Sequence, residues 1–444
     1  MVYRVCVIGL GYIGTPTAAV IAASGHRVFG VDVNQETVNT IKNGKIPIEE
    51  PKLGELLKKG VDSSYLTAHL TPCPADVFII CVPTPVDNRS HCADLSYIEA
   101  AIRSITPFLK PTNLVLLEST SPVGTTLSVC NWIRRDRPDL KLPDEYKKGA
   151  DLNVAYSPER VIPGNTLYEL IHNDRIIGGV TQECAQKSVQ FYQTFVKGKC
   201  LPTVSATAEL IKLAENSFRD VNIAFANELD EVCQRFGISV HELIRLANHH
   251  PRVNILHPGI GVGGHCIAVD PWFIIQNAVK KTSLMRTARA VNDAKPLAVA
   301  KRIIQAVKQQ SPSSVVGCLG LSYKPNIDDF RNSPAIEVIK EIRRKISNPI
   351  LVSDPYCSKL PYELQNLKNV TLVDYEEAIK HSQVITFLVA HTEFKSISLK
   401  ELKGKSIKDF VDFLDQEFIF LQENKENKKM HKKKTLNIKK GRKC

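Results

Sequence analysis

The sequence predicts an α/β protein: two doubly wound parallel-sheet domains joined by a long central helix. Three observations predict it. Short apolar runs alternate with turn residues and helical patterns from Val5 to Tyr156, and the same rhythm resumes after Ser314. Between these regions, residues 206–236 keep a helical pattern without interruption until Gly237 supplies a stop. The first apolar run, Val5-Cys6-Val7-Ile8, passes directly into Gly9-Leu10-Gly11-Tyr12-Ile13-Gly14 and then into a helical stretch, Thr15–Ser24.

That glycine pattern stands where a Rossmann-like dinucleotide fold needs it, between a strand and a helix. Gly9 makes the turn, Gly11 lets backbone approach a pyrophosphate, and Gly14 lets helix and strand pack closely. The helix N-terminus adds N–H donors and a partial positive charge. A second strand, Val28–Val31, ends at Asp32, whose carboxylate would accept the ribose hydroxyls and repel a 2′-phosphate, so NAD is expected rather than NADP. The run Asp76–Val82 leads into Pro83-Thr84-Pro85, and Leu114–Leu117 into Glu118-Ser119-Thr120. Ligands of open α/β sheets lie beyond the strands' carboxyl ends. Thr84 and Thr120 are therefore placed to meet the cofactor, or else they satisfy only their own turns. Val154–Tyr156 opens onto Ser157-Pro158-Glu159-Arg160-Val161, where an acid and a base face a substrate or form an exposed pair.

On the central helix, Lys212, Asn216 and Arg219 share one face, flanked by apolar residues. They form either a solvated stripe or a polar row with partners of its own. A further helix, Val240–Asn248, precedes His249-His250-Pro251-Arg252; no second histidine stands at helical spacing, so no metal is expected. Then comes Pro258-Gly259-Ile260-Gly261-Val262-Gly263-Gly264-His265-Cys266, with Asp270-Pro271 just beyond. This loop does not follow an apolar strand and is not a nucleotide loop. Its glycines bare the backbone to a substrate, and it presents Cys266 either as a nucleophile or as a structural thiol in a tight turn. Asp270 is expected to cap a helix whose first residue is Pro271.

The second α/β region comprises the runs Ser314–Leu321, Ile350–Asp354, Val370–Val373, Val384–Val389 and Ile407–Phe413, with a helix at Pro334–Ile346. Lys324 and Arg331 lie in its first strand-to-helix loop, where a diphosphate would be held electrostatically. The expected division is 1–205 for the NAD-binding domain, 206–300 for a helical domain with the cysteine loop, 301–420 for the second sheet, and 421–444 for a disordered tail. Composition is that of a globular protein, 43% hydrophobic and 23% charged over 444 residues. The net charge of +12 resides mostly in residues 421–444, which carry ten lysines and arginines against two glutamates. The remainder is nearly neutral, which argues against specific nucleic-acid binding. The twelve cysteines show no C-x-x-C spacing, and neither a zinc ribbon nor a disulfide framework is expected. The chain opens on an apolar strand with no basic stretch before it, and no run reaches the ~18 apolar residues of a membrane span. A cytoplasmic protein is expected.

With these segments in place, the chain resembles the UDP-glucose/GDP-mannose dehydrogenase family over roughly residues 3–413. The resemblance rests on Gly9–Gly14, Val82–Pro85, Glu118–Gly124, Ser157–Val161, Asn173–Arg175, Glu215–Leu229, His250–Leu256, Gly261–Phe273 and Lys324–Asp329. Arg160, the run His250-Pro251-Arg252-Val253-Asn254 and Ala268–Trp272 point to the branch acting on an N-acetylmannosamine nucleotide sugar. UDP-glucose, UDP-N-acetylglucosamine and a catalytically silent nucleotide-sugar binder remain as alternatives. The resemblance implies oxidation of a primary alcohol to a carboxylate with two NAD molecules in succession, with Cys266, Lys212, Asn216, Asp270 and Glu159 carrying the chemistry. It further implies substrate contacts from Arg160, Val161, Lys212, Asn216, Arg219, His250, Arg252, Gly263, Tyr323 and Lys324. Cofactor contacts would come from Tyr12, Ile13, Asp32, Thr84, Thr120 and Arg331. A homodimer or higher homo-oligomer built on the central helix is also implied. Two departures stand out: Ile260 replaces the family's usual proline, and Phe410–Asp415 differs from its usual ending, so an incomplete outer edge of the second sheet is an expectation.

Overall fold

The computed structural model of the chain describes residues 2–48, 50–87, 90–162 and 164–414. The basic segment 421–444 and Asp415 lie outside the described residues. The chain divides into two compact units. One comprises Met1–Asn216 with Asp270–Thr282, the other Ser217–Val269 with the residues from Ser283 onward.

The first unit is built on eight strands: β1 (Arg4–Ile8), β2 (Arg27–Val31), β3 (Leu66–His69), β4 (Val77–Ile80), β5 (Leu114–Leu117), β6 (Asn153–Tyr156), β7 (Arg175–Gly179) and β8 (Cys200–Val204). Their order is β3-β2-β1-β4-β5-β6-β7-β8, so the chain departs to both sides of β1, as in a doubly wound sheet. Helices α1 (Gly14–Ala23), α2 (Gln35–Lys42), α3 (Leu53–Asp62), α4 (Ser96–Ile105), α5 (Thr125–Asp136), α6 (Thr166–His172) and α7 (Gln182–Tyr192) connect the strands. Both faces are covered. Val5 and Val7 enter one apolar cluster with Ile21 and Leu57, while Cys6 and Ile8 enter the other with Phe78, Ile102 and Ile133. Successive residues point to opposite faces, so a strand covered on both sides reads as an unbroken apolar run.

The two doubly wound sheets are as expected, and the first carries one antiparallel pairing among its parallel ones. β6 and β7 pair antiparallel, Ala155 opposite Gly179 and Tyr156 opposite Gly178, while β7 and β8 run parallel. β7, which is not among the apolar runs read from the sequence, ends on two glycines. The packing requires them: a Cβ on Gly178 would stand 2.6 Å from that of Ala208, and one on Gly179 2.2 Å from the Thr181 carbonyl oxygen.

Helix α8 (Ser205–Phe236) begins and ends within a residue of its expected bounds, and Gly237 follows with φ +68°. In α9 (Val240–Ala247), the Ser239 side chain caps the helix by accepting the Glu242 N–H. α10 (Asp270–Asn277) takes Asp270 as its first residue instead of as its cap. α11 (Ser283–Lys308) went unread in the sequence because Pro296 interrupts its pattern and Arg289, Asn292 and Lys295 are buried in it. In the second unit these polar groups meet α8: Arg289 donates to Asp220 at 2.6 Å, and Lys295 to Asp230 at 2.6 Å and Glu231 at 2.8 Å.

The second sheet comprises β9 (Val316–Leu319), β10 (Ile350–Ser353), β11 (Val370–Leu372), β12 (Val384–Phe387) and β13 (Ser406–Asp409), parallel in the order β11-β10-β9-β12-β13. α12 (Pro334–Lys345), α13 (Tyr362–Gln365) and α14 (Tyr375–His381) accompany it. Its outer edge forms despite the unusual ending. β13 pairs with β12 from Ser406 to Asp409, and Asp409 then stops the strand by accepting the N–H groups of Val411, Phe413 and Leu414. No helix among the described residues is long and apolar enough to cross a membrane.

Candidate active site

The turn between β1 and α1 assigns each glycine a distinct task. A Cβ on Gly9 would fall 2.5 Å from the Cys81 carbonyl oxygen, and one on Gly14 only 1.7 Å from that of Gly9. Nothing lies within 4 Å of the position a Cβ on Gly11 would take, so the backbone there is bare toward a ligand. Ile13 at the head of α1 offers no side-chain cap; the Thr15 N–H turns back to the Gly11 carbonyl at 3.1 Å and Pro16 has none, so the helix end favours an anion mainly through its dipole. Asp32 accepts the N–H of Leu10 and of Asn34, each at 2.8 Å, on separate oxygens. It is thereby fixed with lone pairs to spare for two ribose hydroxyls. Tyr12 is half exposed and Ile13 half-buried beside this turn. Thr84 and Thr120 are half-buried beyond β4 and β5, and the Thr84 hydroxyl is buried without a hydrogen-bond partner. These features fit a dinucleotide.

Glu159 is buried, not part of an exposed pair. One oxygen accepts the Arg160 N–H at 2.6 Å and the other a guanidinium N–H of Arg175 at 2.6 Å. Burial pushes its carboxyl up, Arg175 pulls it down, and the net result is above the usual carboxylate range. The Lys212 ammonium also favours its charged form. Arg160 reaches away from Glu159, to Glu215 at 2.7 Å and to the Asp174 carbonyl. Val161 packs on the apolar core of the unit.

Of the polar row on α8, Lys212 is half-buried, Asn216 is 1% exposed and Arg219 is exposed. Asn216 finds its partner in Asp270, itself 2% exposed, to which its amide donates a short hydrogen bond. The residues predicted on α8 and at the head of α10 are thus joined within the first unit.

In the second unit the glycine loop lies against the loop after β9. Ile260 is buried in the apolar core, anchoring the loop where the family usually has proline. A Cβ on Gly263 would stand 2.6 Å from the Asn332 carbonyl oxygen, and one on Gly264, with φ +79°, 2.7 Å from the Tyr323 ring. Cys266 is exposed, which does not suit a thiol packed inside a turn. Loss of hydration and the Arg331 cation keep the neighbouring His265 below its usual value, and therefore neutral at pH 7. Arg331 forms a bidentate pair with Asp329, at 2.9 and 2.7 Å, so the diphosphate role read from its charge meets a carboxylate already in place. Lys324, His250 and Arg252 are exposed, the last donating its N–H to the His250 ring at 3.3 Å. The sequence reading missed Arg175 and Asp329, and gave Glu118 no role. Burial and pairing carry their signal, and neither is visible in a linear motif. Among the described residues, no group of three or more histidines, cysteines and carboxylates could hold a metal.

Comparison with known proteins matches three models of one family: the NAD binding domain of the UDP-glucose/GDP-mannose dehydrogenase family at residues 3–196, its central domain at 206–294 and its UDP binding domain at 317–416. The UDP-N-acetyl-D-mannosamine dehydrogenase of Escherichia coli K12 is 49% identical over 89% of this chain and 95% of its own length. The NDP-N-acetyl-D-galactosaminuronic acid dehydrogenase of Ralstonia nicotianae is also 49% identical, over 91% and 95%. Among solved structures, UDP-D-ManNAc dehydrogenase from Pyrococcus horikoshii superposes with a TM-score of 0.83 at 37% identity, covering 93% of this chain and 96% of that one. The Staphylococcus aureus UDP-N-acetyl-mannosamine dehydrogenase gives 0.80 at 38%, covering 93% and 95%. A cradle shaped for NAD and a likeness that runs through all three domain models lead to one conclusion: the chain belongs to the UDP-glucose/GDP-mannose dehydrogenase family, NAD-dependent oxidoreductases of nucleotide sugars.

Proposed function

We propose that the protein oxidises C6 of UDP-N-acetyl-D-mannosamine to the carboxylate, giving UDP-N-acetyl-D-mannosaminuronate. The observation that carries this reading is the exposed Cys266 at the head of the short segment leading into Asp270, whose buried carboxylate is bound by Asn216. Bound NAD supplies the hydride acceptor for each of two oxidations. Lys212, or a water held by Lys212 and Asp270, takes the proton of the C6 hydroxyl. The Cys266 thiolate adds to the resulting aldehyde, and the thiohemiacetal keeps that intermediate from diffusing away. Lys212 and Asn216 stabilise the oxyanion at C6. After the second oxidation a thioester remains, and water cleaves it with assistance from Glu159. Arg160, Val161, Arg219, His250, Arg252, Gly263, Tyr323 and Lys324 are the proposed substrate contacts. Tyr12, Ile13, Asp32, Thr84, Thr120 and Arg331 are the proposed cofactor contacts. Phe218, Phe225, Val232 and Phe236 are exposed along α8, which supports a homo-oligomer.

The Ralstonia nicotianae relative favours a second reading, in which the sugar is N-acetylgalactosamine. Purified protein assayed against UDP-N-acetylmannosamine, UDP-N-acetylgalactosamine, UDP-N-acetylglucosamine and UDP-glucose decides between them by kcat/KM and product mass. Two NADH per sugar consumed and highest kcat/KM for the mannosamine nucleotide are expected. One NADH per sugar would sink the thioester scheme, and absence of NADH with every sugar would leave a binding protein.

A further inference from the structure

Strands β1 to β6 end at the ligand edge of the first sheet, and β7, running against them, begins there. Its first residue, Arg175, therefore enters among groups delivered by the ends of β4, β5 and β6. Glu118 follows β5 and Glu159 follows β6; Glu118, Glu159 and Arg175 are 2%, 9% and 6% exposed. One guanidinium nitrogen of Arg175 donates to Glu159 at 2.6 Å and stands 3.5 Å from Glu118. Glu118 in turn accepts the Tyr192 hydroxyl at 2.7 Å and the Cys81 thiol at 3.5 Å, and the guanidinium lies over the Tyr192 ring, 4.5 Å from its centre. Two carboxylates thus share one cation out of water, an arrangement that makes the charge on each depend on the other.

We propose that Arg175 is a positioning residue for Glu159: it aims that carboxylate and keeps it ionised for thioester cleavage, while Glu118 and Tyr192 hold the guanidinium in place. The inference rests on the role given to Glu159 above. The groups facing Glu159 are Arg175 from β7, Glu118 beyond β5, Lys212 from α8 and the N–H of Arg160. Glu118 pushes the Glu159 carboxyl up, while the other three pull it down. Burial first, then Glu118, drives the Tyr192 phenol and the Cys81 thiol far above their usual values, so both remain neutral donors. Glu159 is the carboxyl of this cluster that is held above its usual range.

The test follows the full-length enzyme converting the UDP-sugar 6-aldehyde to acid with NAD as a function of pH. Replacing Arg175 by Met removes the cation, and the acid limb of kcat is expected to rise by about 1–3 pH units, the effect of one adjacent opposite charge. The KM values for NAD and sugar should hold, while a covalent sugar adduct on Cys266 accumulates in acid-quenched samples. Glu118→Gln keeps the cation and removes the carboxylate that pushes Glu159 up; the limb should move down. Opposite shifts support the inference. Unmoved limbs, or limbs moving the same way with KM rising in step, overturn it. Should the buried Met variant not fold, Arg175→Lys is read instead, with the limb expected to rise less, alongside Glu118→Gln. Glu159→Gln separates the two levels. If it leaves the aldehyde-to-acid rate intact, the cleavage role of Glu159 falls and the inference with it. If it slows that rate while the Arg175 variants leave the limb in place, only the positioning role falls.

Discussion

Cys81 and Cys266 carry the same thiol in opposite surroundings. Cys81 is half-buried against Glu118, where loss of hydration and the neighbouring carboxylate drive its thiol far up and leave it a hydrogen-bond donor. Cys266 stands exposed at the end of a loop whose Gly263 and Gly264 pack against Asn332 and Tyr323. The nucleophilic role proposed for Cys266 predicts that Cys266→Ser abolishes carboxylate formation, since a hydroxyl ionises far less readily than a thiol. Mass analysis of the product checks this; a carboxylate formed at the wild-type rate would return Cys266 to a structural part. At this scale the sequence exposed residue types and spacing, so Asp32 and the three glycines could be assigned work before any fold was known. It did not expose partners. Arg175 belongs with Glu159 only because a strand reverses, and Asp270 with Asn216 only because the chain returns to the first unit after Val269.

Helices and strands were legible where one rule governed them. β1, β4, β5, β9 and β12 are covered on both faces and read as apolar runs, and α8 has a continuous pattern ended by glycine. α11 broke the rule by burying charge. Arg289, 2% exposed, donates to Asp220, which is wholly buried and also takes the Asn292 amide at 2.8 Å. Burial holds the Asp220 carboxyl above its usual value even with Arg289 beside it. Arg289→Ala is expected to cost about 3 kcal/mol by leaving that charge without its cation. The sign with pH follows from linkage: a carboxyl whose folded pKa is raised favours the folded state while protonated and opposes it once ionised. The loss should therefore be small near about pH 4 and grow toward neutrality. Urea unfolding at several pH values measures it. As control, Arg245→Ala, in an exposed pair with Glu242 at 4.0 Å, should shift stability by no more than about 0.5 kcal/mol. Equal losses in both variants would show that the α8–α11 pairing contributes nothing special.

The charge of the whole molecule is lopsided in a way that bears on assays. Residues 421–444 hold eight of its twelve net positive charges, and the family match stops at 416. A protein ending at 420 is expected to keep kcat/KM within about twofold at physiological salt, where charges more than about 8 Å away are screened. A larger drop, measured on the same UDP-sugar panel, would give that segment a part in catalysis. The two sheets and the long helix were legible at this scale, because apolar rhythm survives in a linear string; β7 and its direction were not, because only Ile176 and Ile177 stand between its arginine and its two glycines. The reversal has one more consequence. Ordinary crossovers carry the chain from the ligand edge to the far edge, but the connection from β6 to β7, which contains Glu159, Arg160, Val161 and α6, leaves and rejoins the sheet on the ligand side. Lengthening or trimming that stretch would therefore reshape the ligand edge of the sheet around Glu159 without disturbing a single strand pairing.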